Sequence, residues 1–86
     1  MRELEKTLKA LANKRRLTIL KYLKIKNRAT VGDIADEIDL SFKATSKHLG
    51  ILSALDILEK NQQSLNMFYS LAQNQKPPAK FIIALL

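Results

Sequence analysis

The chain has 86 residues, with 15 Lys and Arg against 8 Asp and Glu for a net charge of +7, one histidine and no cysteine. That length supports one folded domain, that charge suits a polyanionic partner, and the missing thiols exclude disulfides, thiolate metal sites and thiol redox sensing. A hydrophobic fraction of 47% with two Gly and two Pro describes a compact, mostly helical chain rather than a disordered tail.

No apolar run is long enough to span a bilayer and the N-terminus lacks a signal-peptide core, so the sequence predicts a soluble, non-exported, cytoplasmic protein. Its basic residues are spread over several elements, which disfavours a membrane-surface helix and a membrane partner.

In chain order, Leu4, Leu8, Leu11 and Ala12 recur at helical spacing among Glu3, Glu5, Lys6 and Lys9 and predict an amphipathic first helix over residues 2–12. Asn13 offers a cap to a second helix that opens with Lys14, Arg15 and Arg16, presents Leu17, Ile19, Leu20 and Leu23, and ends near Asn27. Three cations in a first turn oppose the helix dipole by roughly 0.3–1 kcal/mol each at low salt. Such a cost suggests a use. Either Arg15 or Arg16 approaches a phosphate, or the cluster is only solvated, with Arg16 paired to an acid such as Glu5 or Asp36.

Thr30 and Asp33 form a Thr-x-x-Asp capping pattern ahead of Val31, Ile34, Ala35 and Ile38, which predicts a short third helix. Asp33, Asp36, Glu37 and Asp39 lack the spacing of a calcium loop, and acids near a helix start complement its dipole, so no metal site is expected there. Only Asp39 and Leu40 separate this helix from the next cap, Ser41.

The fourth helix, starting at Phe42, sorts into two faces. Thr45, His48, Leu49, Leu52 and Leu55 share the side suited to a core, while Lys43, Ser46, Lys47 and Gly50 share a basic, hydroxyl-bearing side. Lysine can donate to guanine O6 and N7, serine to a base edge or a phosphate, and glycine admits a close approach. A short helix, a tight turn and a basic-faced helix over residues 31–54 have the form of a helix-turn-helix.

After Ala54 the period changes. Ile57–Asn61 and Leu65–Leu71 read as strands around a polar turn at Gln62, Gln63 and Ser64, which predicts an antiparallel hairpin over residues 57–71. Asn74–Leu86 begins with Lys76-Pro77-Pro78, suited to a helix start, and ends in Phe81, Ile82, Ile83, Ala84, Leu85 and Leu86. That apolar end either covers the chain's own core or meets a second chain. The expected architecture is mainly α with a small β-hairpin, a single winged helix-turn-helix domain over residues 1–86 in the order α1-α2-α3-α4-β-β-α5.

The stretch Leu8–Leu23, the segment Leu40–Leu52 and the Tyr69-Ser70-Leu71 ending of the hairpin resemble ArsR-type repressors of bacteria and archaea over about residues 4–72. Arg16-Leu17, Ile19-Leu20, Ser46, His48-Leu49 and Leu52 match that pattern. The resemblance implies a two-fold homodimer built from the first and last helices, residues 2–12 and 77–86, with Leu4, Leu8, Phe81, Ile82 and Leu85 as seam candidates.

The departures are informative. Thr30 and Gly32 stand where metal-sensing members carry a Cys-x-Cys pair, and the C-terminal segment has no histidine, so neither a metal nor any other cofactor is expected. Phe42 stands in place of a polar residue, often Gln, Gly50 in place of a usual Lys, and the wing tip Asn61-Gln62-Gln63-Ser64 in place of Arg and Gly.

The favoured reading is a dimeric, sequence-specific regulator of double-stranded DNA, a repressor by resemblance. In it Lys43, Ser46 and Lys47 read bases or phosphates, Ser41 and Phe42 at the start of the reading helix also belong to the DNA contacts, and Ser41 and Thr45 position that helix. Lys14, Arg15, Arg16 and Lys60 hold the backbone, and His48 either reads DNA or is a hydrogen-bonded structural histidine. The competing reading is a winged-helix protein-interaction module acting on a protein partner through its apolar C-terminal segment. An enzyme is disfavoured, because there is no nucleophile with a positioned base and no glycine-rich phosphate loop.

Overall fold

Three polar side chains set where the central helices begin in the computed structural model, which describes residues Met1 to Leu86. Helix α2 (Lys14–Lys26) starts on Asn13, whose Oδ1 accepts the Arg16 N–H at 3.0 Å. Helix α3 (Val31–Ile38) starts in a capping box: Thr30 Oγ1 accepts the Asp33 N–H at 3.2 Å, and Asp33 Oδ2 accepts the Thr30 N–H at 3.4 Å. Helix α4 (Phe42–Ala54) starts on Ser41, whose Oγ accepts the Ala44 N–H at 3.1 Å. Between α3 and α4, Asp39 turns left-handed at φ 54° and the Leu40 N–H donates to the Ala35 carbonyl at 3.0 Å, a closure that ends one helix and aims the next.

Helix α1 (Arg2–Leu11) precedes this unit and helix α5 (Ala79–Leu85) follows the sheet. The predicted stripe on α1 divides. Leu11 is buried with Ala10, whereas Leu4 and Leu8 remain 42% and 47% exposed and Ala12 is exposed as well. α5 begins two residues later than its prolines suggest, with Pro78 as its cap residue.

The sheet has one strand more than expected. Strand β1 (Arg28–Thr30), strand β2 (Leu58–Gln63) and strand β3 (Asn66–Leu71) are antiparallel in the order β1-β3-β2. The wing turn is Ser64-Leu65, not Gln62–Ser64. The two glutamines pair in β2, opposite Met67 and Asn66, and Ser64 takes a left-handed φ of 56° to reverse the chain in two residues. The register puts Ala29, Leu58, Lys60, Tyr69 and Leu71 on the sheet side that meets the helices, and Arg28, Asn61, Gln63 and Phe68 on the other. The architecture is a winged helix-turn-helix, α1-α2-β1-α3-α4-β2-β3-α5.

The core joins Ile19, Leu20 and Leu23 of α2 to Ile34 and Ile38 of α3, Leu49 and Leu52 of α4, Ile57, Leu58 and Ile83. Burying such a side chain is worth roughly 1.5–3 kcal/mol. Helix α2 touches every other helix and two of the strands.

It also ends three of those helices. Arg16 Nε donates to the Ala10 carbonyl at 2.6 Å and Nη2 to Lys9 at 3.4 Å, closing α1. Arg15 Nη1 donates to Ile38 at 2.7 Å and Asp39 at 3.4 Å, closing α3. Lys24 Nζ donates to the carbonyls of Ile83, Ala84 and Leu86 at 3.0, 3.3 and 3.4 Å, closing α5. Each cation meets orphan carbonyls at the negative end of a helix dipole. This use offsets the unfavourable charges at the start of α2. Arg16 pairs with neither Glu5 nor Asp36; Glu5 lies 3.9 Å from Lys9 instead, in the chain's one salt bridge.

Candidate nucleic-acid interface

The outer side of α4 is built by what its inner side must bury. Thr45, Leu49 and Leu52 are fully buried, which turns Lys43, Lys47 and Gly50 to solvent and leaves Ser46 half-buried at the edge. Lys43 and Lys47 take part in no ion pair within the chain. A Cβ built on Gly50 would meet nothing within 4 Å, so the middle of this face is open. Phe42, in the first turn, is 64% exposed. Ser41, by contrast, has its hydroxyl engaged in the cap.

His48 lies on the flank that faces α2, half-buried, with Nδ1 3.1 Å from Arg16 Nη1. Because a guanidinium only donates, Nδ1 accepts and the ring proton sits on Nε2. Burial, and then the charges of Arg16, Arg15 and Lys47, hold the His48 pKa below its ordinary value of 6.5, so the neutral ring is favoured. The structure thus gives His48 a hydrogen-bonded place, and it joins α2 to α4.

The other predicted contact residues are dispersed. Lys14 is exposed at the start of α2, while the neighbouring guanidiniums of Arg15 and Arg16 are turned to carbonyls. Lys60 is exposed on the helix-facing side of the wing. On the opposite side stands Arg28, a cation the sequence reading passed over. Its guanidinium lies 4.3 Å from the Phe68 ring centroid and its Nη1 donates to Gln63 Oε1 at 2.6 Å, so it spans the sheet from β1 to β2. The wing tip is neutral, but its outer face is not.

A second surface lies at the α1–α5 end, where the two helices pack together. Phe81 and Leu85 are 62% and 81% exposed, and Leu4 and Leu8 line a shallow trough along α1 with Met1 and Ala12. Ile82 is half-buried against the chain's own core.

The family model for bacterial regulatory proteins of the arsR family matches residues 13–60, more than half of the chain. The chain belongs to the ArsR family. It is 35% identical over 68 residues to the transcriptional activator HlyU of Vibrio cholerae, spanning 79% of this chain and 62% of that relative's length. The structure of reduced HlyU superposes with a TM-score of 0.81 at 33% identity, covering 98% of this chain and 84% of the other.

The transcriptional repressor PagR of Bacillus anthracis gives a TM-score of 0.79 at 27% identity, over 98% and 92% of the two chains. The homodimeric winged helix-turn-helix DNA-binding domain Mb0332 of Mycobacterium bovis gives 0.80 at 26%, over 96% and 73%. These relatives are regulators, a non-enzymatic class. In this ArsR-family chain Thr30 spends its hydroxyl in the α3 capping box, and no three acidic, histidine or cysteine side chains gather to hold a metal ion. No helix is long and apolar enough to cross a membrane.

Proposed function

We propose that this chain is a cytoplasmic, sequence-specific regulator that binds double-stranded DNA as a homodimer and responds to no metal, its residues 1–86 acting as one unit. The observation that carries the reading is the outer side of α4, where Lys43, Lys47 and the space above Gly50 are unpartnered on a helix fixed by its cap, its core side and the Asp39 turn. Lys43, Ser46 and Lys47 enter the major groove, Lys14 and Lys60 reach flanking phosphates, and Arg28 supplies the charge that the wing tip lacks. Leu4, Leu8, Phe81 and Leu85 form the seam between subunits, as the exposed apolar end of the molecule and the homodimeric relative Mb0332 support. Repression is the favoured sign of regulation, on the precedent of PagR; HlyU, an activator, is the opposing precedent, and a reporter fused to the bound promoter decides between them.

Selection from a random duplex pool tests the reading. It should enrich a near-palindrome with half-sites about 34 Å apart, bound with an affinity that falls steeply with salt as phosphate counterions are released. No enriched site, or affinity indifferent to salt, would overturn it. The exposed Phe81 and Leu85 favour one alternative, a protein-docking module. A chain that light scattering finds monomeric and that ignores DNA would support that alternative.

A further inference from the structure

Phe42 occupies a position that the family resemblance expects to be polar, and the fold does nothing to shelter it. It is the first residue of α4, lies outside the core cluster and is 64% exposed. One turn on, Ser46 shares its edge of the helix, and Lys43 and Lys47 flank that edge with no ion-pair partner. A protein groove that took this ring would have to take two unpaired cations with it. A polyanion is the surface that accepts both.

We infer that Phe42 is a specificity-determining residue that packs on the 5-methyl group of a thymine in the major groove. The inference rests on the DNA-binding reading above. Residues in the first turn of a recognition helix are those that meet base edges. A phenyl ring has no donor or acceptor, so it cannot read guanine O6 and N7, adenine N6 or cytosine N4. The thymine methyl is the one apolar feature the major groove presents. Lys43 and Lys47 draw the helix toward the phosphates, Ser46 supplies a hydrogen bond beside the ring, and Phe42 selects T·A over the other pairs at that step.

The test replaces thymines in the selected site by deoxyuridine, one symmetric pair at a time, which removes the methyl group and leaves every hydrogen-bonding group in place. At one thymine position the exchange should weaken binding about four-fold per half-site, the value of one buried methyl. Phe42→Ala should make that position indifferent to the exchange, and Phe42→Leu should restore part of the dependence. Both variants should keep the wild-type circular dichroism, because the side chain lies outside the core. If the wild-type protein binds its site but no thymine shows the effect, or if Phe42→Ala leaves the effect intact, the inference fails while the DNA-binding reading stands. Failure of the wild-type protein to bind any duplex overturns both.

Discussion

Helices α2 and α4 both carry cations and use them differently. α2 has six, and three of them, Arg15, Arg16 and Lys24, are hydrogen-bonded to the carbonyl ends of α3, α1 and α5. α4 has two, Lys43 and Lys47, and neither has an ion-pair partner. The net charge of +7 is therefore not one surface. Part of it holds the fold together, and the cations without a partner, Lys43 and Lys47 among them, are the part left free to meet a ligand.

The sharpest way to break this contrast is to remove one cation from each helix. Arg16→Ala leaves the last carbonyls of α1 without their donor and should lower unfolding stability in urea by about 2 kcal/mol, whereas Lys47→Ala should change it by under about 0.5 kcal/mol. Equal stabilities would mean that the α2 cations are not structural. Binding should show the reverse order: Lys47→Ala should cost roughly 1–3 kcal/mol of DNA affinity where the lysine reads a base. Unchanged affinity and selectivity would remove it from the interface.

Gly50→Ala sharpens the picture of α4 as a helix kept bare. With nothing near the added methyl, the substitution should raise stability by about 1 kcal/mol, and a simultaneous loss of DNA affinity would mark Gly50 as the point of closest approach.

The smallest effect concerns pH. The folded-state pKa of His48 is depressed, so between that value and 6.5 the unfolded chain binds more protons than the folded one. His48 therefore contributes its full stability above pH 6.5 and loses it as the pH falls. His48→Asn, which keeps an acceptor near the Nδ1 position, should flatten the pH dependence of the unfolding midpoint in that window. A slope identical to wild type would show that the ring does not titrate differently on folding.

The sequence disclosed those parts of the molecule whose determinants are local. Asn13, Thr30 with Asp33, and Ser41 each cap the helix that follows them, because a capping bond spans three residues and needs a particular side chain. The outward side of α4 was likewise legible, since its phase follows from Leu49 and Leu52. Strand β1 was not, because three residues carry no periodicity and its partners lie some forty residues away in β3. Arg28 was missed with it. The roles of Arg15 and Arg16 were hidden for a different reason. Their partners are main-chain carbonyls, which every residue possesses and no sequence pattern announces.

Arg16 touches two elements that the proposed dimer would load separately, the last turn of α1 through Ala10 and the imidazole of α4 through His48. Travel of α1 by about one ångström would carry the 2.6 Å Arg16–Ala10 contact to the limit of hydrogen bonding or drag the ring with it. In the proposed dimer, a shift of α1 at the subunit seam would therefore reach the proposed reading helix through one guanidinium.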